Sequence, residues 1–393
     1  MGFAFRKEYD VVVAGGGVAG VAAAVASARR GHRTALVEKQ ILLGGLATSG
    51  LIFIYLPLCD GKGRQVSFGL AEELLHRSQK YSPCDLPQEW GGPKDGFVGF
   101  QAEGRYQCIF SPAGFTLALD EILKEAGVEL LLDTLVCATR CRKTGVVTGL
   151  EVENGEGRGW LQARRFVDAT GSAALARQAG RTTPTGNNFQ TPWILDFGAK
   201  THAFHLTPQI GIQAFGQTGA EDCRLGNPLC QDTVTRHVRN TWERCRQFYD
   251  QAYAAGEDRH SLFPLHLPAM PQFRKIARIQ GRKTLEKEGE RQGHPDSVGL
   301  YGDWRKPGCV WEIPYEILLP RGLRNVLAAG RCVSAEGDAW EALRVIPAAA
   351  LTGEIAGTAA ALSLERHRMP DALPPEALRK ILQAKGFLFR ETE

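Results

Sequence analysis

Gly15, Gly17 and Gly20 stand in the spacing G-x-G-x-x-G, and Glu38 follows one short helix and one short strand later. Residues of these types in this order can cradle a phosphate. Gly15 permits a tight turn, Gly17 lets backbone N–H groups approach an anion, and Gly20 lets a helix pack closely on a strand. Val18 and Ala19 open that helix, whose electropositive N-terminal end suits a pyrophosphate. Glu38, followed by Lys39, can accept hydrogen bonds from ribose hydroxyls. The flanks carry the matching periodicity. Tyr9 to Val13 reads as a buried strand, Val18 to Arg30 as a helix ended by Gly31, and Thr34 to Val37 as a second strand. The sum is a βαβ unit for a dinucleotide.

Three later segments extend the site. "LLGGLATSG" (Leu42 to Gly50) brings a second glycine pair, Gly44 and Gly45, with Leu46 and Thr48, toward the far end of an extended cofactor. "RRFVDATGSAALARQAG" runs a strand into the small turn Ala169-Thr170-Gly171. The segment from Asn325 to Leu362 holds a buried strand, the turn Gly330-Arg331, and a helix opening near Val345, Ile346 and Pro347. Proline suits a first helical turn, and Ala348, Ala349 and Ala350 leave room for a flat ring.

Together these segments resemble the glutathione-reductase-like FAD flavoproteins. They are most similar to FAD-dependent oxidoreductases that carry a GGxxT/S segment and a C-terminal "RVIP…TG…AGTAAAL". The resemblance implies an α/β fold: a Rossmann-like, three-layer FAD-binding domain with an inserted α+β substrate domain. FAD would be held by residues 1–172 and 311–365, substrate by 173–310, with a tail at 366–393 bearing a helix from Pro375. A helix opened by Ser111-Pro112 and strands near 128–132, 135–138, 146–152 and 165–168 complete the cofactor domain. The backbone near Val136 would meet the adenine. The N-terminal end of the last long helix would face the N1/C2=O side of the flavin, where its dipole favours negative charge. Relatives usually carry an acidic residue in the turn where this chain has Arg331, and Asp338 is the expected substitute.

Substrate-binding residues are fewer. Arg344, just before that helix, can bind or polarise an oxygen substituent. Arg274 and Arg278 lie four apart on an expected helix and could clamp an anionic or carbonyl group. His205, with His202, could serve as a general base. Asp303-Trp304 and Trp340 offer a polar handle and an aromatic wall, while Trp193 and Trp242 read as core. No metal-ligand cluster and no second G-x-G-x-x-G stands out, so electrons should pass directly between FAD and a small molecule.

Composition narrows the partners. The net charge is +4 over 393 residues and the basic residues form no long tract, which argues against nucleic acid. The apolar runs around Ala14–Ala28 and Pro347–Leu364 are rich in small residues, and the second contains Glu354, so neither reads as a membrane span. The ten cysteines are scattered without a Cys-x-x-Cys pair, which fits a reducing, cytoplasmic setting. Homo-oligomerisation is left open. The expectation is a FAD-dependent oxidoreductase that moves a hydride between a small organic substrate and flavin N5. The alternatives are a nicotinamide-dependent dehydrogenase and a non-catalytic or RNA-directed flavoprotein.

Overall fold

A computed structural model describes residues 2–86, 88, 92, 94, 107–186, 188–189, 192–198, 203–206, 224–286 and 292–392. Its centre is a sheet assembled from distant parts of the chain. Strand β1 (Phe5–Ala14) leads through helix α1 (Val18–Ala28) to β2 (Thr34–Val37). Helices α2 (Leu70–Gln79) and α3 (Pro112–Glu125) precede β3 (Glu129–Leu131), β4 (Leu135–Cys141), β5 (Val147–Asn154) and β6 (Gly157–Asp168). The strand order is β3-β2-β1-β6-β5-β4. Strand β7 (Val326–Ala328) pairs in parallel with the last three residues of β6. The parallel part therefore runs β3-β2-β1-β6-β7, and β4, β5 and the first half of β6 form an antiparallel meander.

Alternation along β1 shows why this is a three-layer arrangement. Val11 and Val13 pack with α1 and with α5 (Ile346–Glu365), whereas Tyr9, Val12 and Ala14 pack with Val147, Leu150 and Val152 of the meander. Both faces of its C-terminal part are covered, so Val11 to Ala14 read as a continuous apolar run. Helix α3 starts as its sequence dictates: the Ser111 hydroxyl accepts from Gly114 N at 3.1 Å, with Pro112 in the first turn.

The small residues of the two apolar helices have a common cause. A Cβ on Gly353 would collide with the Ala19 carbonyl, and one on Gly357 with the Ala23 carbonyl. Two helices approach backbone to backbone along that seam, which offsets the roughly 1 kcal/mol that each helical glycine costs. Ala348 and Ala350 are fully buried in this packing, and only Ala349 of the three alanines reaches the cleft described below. Among the described residues no single helix is long and apolar enough to cross a membrane. Glu354, in the middle of α5, accepts from Leu70 N at 2.5 Å at the start of α2 and pairs with Lys385 at 2.7 Å. The C-terminal segment is thereby tied to the core, where Leu378, Leu382, Phe387 and Phe389 are buried.

Three expectations differ. The boundary drawn at 310/311 falls inside an antiparallel hairpin, Ser297–Gly302 with Val310–Pro314, whose residues are all buried. The stretch from Arg274 to Leu285 is irregular, with isolated bridges, and not helical. Its N–H groups are taken by other segments: Arg278 N by Pro184 O, Ile279 N by Cys332 O and Leu285 N by Ser334 O, at 3.0, 2.9 and 2.9 Å. These tertiary bonds outweigh local propensity. Trp242, on helix α4 (Gln231–Ala254), is exposed, while Trp193 packs edge-on against Phe53.

Candidate cofactor and substrate cleft

The first wall of the cleft is built by backbone. Gly15 adopts φ +102°, and a side chain there would strike Ala169 O. A Cβ on Gly20 would collide with Gly15 O, so Gly20 sits behind the turn and lets α1 close on it. A Cβ on Gly17 would meet nothing within 4 Å. Gly17 lines the cleft with Gly15, Val18 and Ala19, and no side chain caps α1. The N–H groups of its first turn are thus left for a ligand. Glu38, buried at the tip of β2, accepts from Gly16 N at 2.6 Å and Gln40 N at 2.9 Å. Two donors fix the carboxylate in place and leave lone pairs for hydroxyl groups.

Two further turns close on this wall. Gly44 and Gly45 lie beside Gly17, joined by a bridge between Gly17 and Gly44. They line the cleft with Lys39, Gln40, Leu46 and Ala47. Thr48 is buried and donates from Oγ1 to Leu43 O, so it holds the turn instead of facing the cleft. Ala169, Thr170 and Gly171 line the cleft beside Gly15. Asp168 sets their course: it accepts from Thr170 Oγ1 at 2.7 Å and from Leu175 N at 2.8 Å. Burial pushes its carboxyl up, against those hydrogen bonds.

The other end of the cleft is made of side chains. Gly330, Arg331, Arg344, Ile346 and Ala349 line it, with Met270 and Ile276 from the crossing segment above. Thr352 Oγ1 accepts from Gly330 N at 3.0 Å and so pins the Gly330-Arg331 turn to α5. Val345 precedes the helix, taking Ala349 N on its carbonyl at 2.8 Å, and Pro347 is buried in the first turn. Arg331 donates to Phe273 O at 2.7 Å. Arg344 Nε donates to Glu341 at 2.6 Å, and Glu341 also holds Lys275 at 2.5 Å. Burial pushes Glu341 up, but Arg344 and Lys275 outweigh it and hold the carboxyl below its usual range. Arg274 donates to Gln272 O at 2.6 Å and lies over the Trp193 ring at 5.8 Å.

Several expected residues stand elsewhere. Arg278 is buried against Ser334 and Glu336 and does not line the cleft. Arg278 lies over the Trp340 ring and Arg274 over the Trp193 ring, so the two guanidinium groups have different neighbours. Asp338 is paired with Arg305 at 3.0 Å and Lys306 at 2.8 Å, also away from the cleft lining. Val136 is outside the lining, and its carbonyl accepts from Gln178 at 3.1 Å. It lies two residues beyond Thr134, whose N–H bonds Glu38 O at 3.0 Å. His205 lies on the strand Ala203–Leu206, opposite Asp196, and His202 lies outside the described residues. Sequence reasoning passed over Glu341, Met270 and Ile276, and took Lys275 only as part of a basic face. Glu341 carried a signal, its i,i+3 spacing to Arg344; Met270 and Ile276 had none.

A family profile described as FAD dependent oxidoreductase matches residues 10–256 and 294–382. The chain belongs to this family. FAD is its cofactor, which decides between FAD and a nicotinamide for the glycine turn. No curated protein matches the sequence. Among solved structures it is similar to a geranylgeranyl bacteriochlorophyll reductase-like protein from Thermoplasma acidophilum. The identity is 13% and the TM-score 0.50, over 97% of this chain and 84% of that one. It is also similar to a 3-ketosteroid-Δ4-(5α)-dehydrogenase from Rhodococcus jostii RHA1. There the identity is 17% and the TM-score 0.41, over 90% of this chain and 97% of that one. At 13% identity the first of these likenesses reaches the fold and no further. The cleft fits FAD on its own terms. It offers open space above Gly17, uncapped N–H groups on α1 and a carboxylate fixed at Glu38. The protein described by this structure is thus an FAD-dependent oxidoreductase, with Arg331 and Arg344 in the lining of its cleft.

Proposed function

We propose that the protein oxidises or reduces a small organic molecule by moving a hydride between a substrate carbon and flavin N5. When bound, FAD supplies the two-electron partner for that transfer. The chain's own residues supply binding and orientation. The backbone of Gly15, Gly17, Val18 and Ala19 would hold the pyrophosphate, and Glu38 a ribose. Gly44 to Leu46 and Ala169 to Gly171 would flank the nucleotide. Ile346 and Ala349, at the start of α5, would leave room for the ring and turn the helix dipole toward it. Arg344 would bind an oxygen substituent of the substrate, its Nε edge fixed by Glu341.

One observation carries the reading. The glycine turn of α1, the Gly330-Arg331 turn, the start of α5 and Arg344 all line one cleft. A dinucleotide laid from one end would bring its far end to the arginine. The purified protein should be yellow. An anaerobic screen of sugars, hydroxy acids, amines and enoyl compounds should find a class that bleaches it. A colourless protein that added FAD cannot reconstitute would overturn the proposal.

A further inference from the structure

Residues 268–276 form no helix or strand, yet they run from one lining turn of the cleft to another. On one side Ala269 N donates to Ser49 O at 2.8 Å, two residues past the lining stretch Gly44 to Ala47. On the other, Arg331, itself in the lining, donates to Phe273 O at 2.7 Å, and Lys275 pairs with Glu341 at 2.5 Å. Met270 lies between these two sets of ties and Ile276 directly follows the second, and both line the cleft. The segment is a strap drawn across the cofactor site. Its middle is held by one side chain. Gln272 is only 3% exposed. Its Oε1 accepts from Trp193 N at 2.8 Å, and its Nε2 donates to Gly50 O at 2.7 Å and to Trp193 O at 2.9 Å. One amide thereby joins the strap both to Gly50 and to Trp193.

We infer that this strap is a gate on the cofactor: FAD enters and leaves when it lifts, and Gln272 is the latch. A dinucleotide laid along the cleft lies against Met270 and Ile276, so the strap must move for it to leave. The strap can move without the sheet. A segment outside every helix and strand has no ladder to break. Its ties are separate hydrogen bonds and an ion pair, and such stretches open locally at a fraction of the cost of global unfolding. The partners of Gln272 are Gly50 and Trp193, which are protein groups whether or not FAD is bound. The latch therefore closes the cleft in both states, and weakening it speeds entry and exit together. A residue that only touched FAD would change exit alone. The gate concerns access of FAD and stands apart from the hydride-transfer reading above.

Two measurements on the holoenzyme test this. Exchange of bound FAD for radiolabelled FAD gives the release rate, and equilibrium dialysis gives the dissociation constant. Gln272→Ala removes all three bonds of the latch amide. It should release FAD roughly 10- to 100-fold faster while the dissociation constant stays within about threefold. Lys275→Met cuts a tie at the other end of the strap and should shift release in the same direction at similar affinity. It keeps the question open to refutation even where Gln272→Ala folds poorly. Urea melts of both variants separate a gate from a structural prop. A midpoint that falls while release keeps its wild-type rate would make these residues props only and would overturn the inference. So would a rise in release matched by an equal loss of affinity, since the side chains would then hold the cofactor itself and not the strap. Release at the wild-type rate in both variants, whatever their stability, would show that FAD leaves by a route the strap does not cover.

Discussion

The two ends of the cleft solve recognition by opposite means. At the α1 end the ligand surface is main chain. Gly15 and Gly17 remove side chains, and Glu38, the main charged group there, is itself held by backbone N–H groups. At the α5 end the surface is long side chains: Arg331, Arg344 and, behind them, Arg274, steered by Glu341. A backbone surface cannot vary with sequence, provided the glycines stay, so it suits a cofactor that never changes. A surface of guanidinium groups depends on which residues stand at a few positions, so it can be changed without touching the backbone cradle.

The largest effect should come from breaking the backbone end. Gly20→Val places a branched side chain against Gly15 O, where there is no room for a single methyl. The turn must open, and the purified protein should contain no flavin. Gly357→Val makes an equally tight clash, but deep in the α1–α5 seam against Ala23. Overpacking of that kind costs about 1–3 kcal/mol. Its midpoint in urea should fall, while the folded fraction keeps one FAD per chain. Should Gly20→Val purify with full flavin, the backbone cradle is not what holds the cofactor.

The cationic end is sharpened by pH. His237, on α4, is buried with its ring 4.7 Å from Phe273, the residue whose carbonyl holds Arg331. Burial first, then the charge of Arg274, push its imidazole from 6.5 down to about 4. The folded state therefore resists a proton that the unfolded chain accepts. The sign follows from linkage: between pH 6.5 and 4 the unfolded state binds more protons, so stability falls as pH falls. The whole shift corresponds to about 3 kcal/mol. Urea melts at pH 7 and pH 4.5 should differ by nearly that much more in the wild type than in His237→Gln. Parallel curves for the two proteins would show that burial and Arg274 together do not hold the histidine neutral.

What the sequence disclosed follows the same division. The backbone end was legible because its signals are local: Gly15, Gly17, Gly20 and Glu38 lie within one βαβ unit, and each glycine has one steric task. The start of α5 was legible for the same reason, through Pro347 and the run of small residues. The cationic end was legible only in pieces. Arg344 and Arg331 could be singled out, yet Arg274 was placed on a helix that does not form. The spacing of charges in "RKIARIQGRKTL" does suit a helix, but its N–H groups are claimed by Pro184, Cys332 and Ser334. Nothing within a dozen residues announces such partners. Met270 and Ile276 reach the cleft for a similarly remote reason, since Ala269 N is held by Ser49 O at 2.8 Å and Ile276 O by Gly186 N at 3.1 Å.

The smallest effect tests where the boundary between the two ends lies. The resemblance to glutathione-reductase-like flavoproteins implies an acid in the turn that here carries Arg331, and Asp338 was the residue expected to replace it. Its carboxylate instead joins Arg305 and Lys306, with Lys306 the stronger influence holding it below its usual range. Arg305 is in turn fixed by the buried Asp303 at 2.8 Å. Asp338 thus belongs to a partly exposed ion network in the first turn of the helix Gly337–Leu343, where a negative charge also favours the dipole. Pairs of this kind are worth about 0.2–1 kcal/mol each. Asp338→Asn should lower stability by about 1 kcal/mol and leave the FAD dissociation constant within about twofold, since no direct cofactor contact is lost. A tenfold loss of FAD affinity at unchanged stability would mean that Asp338 swings into the cleft when the cofactor binds. The acid missing from the Arg331 turn would then be supplied from Asp338 after all, and the division between a backbone end and a cationic end would have to be redrawn around it.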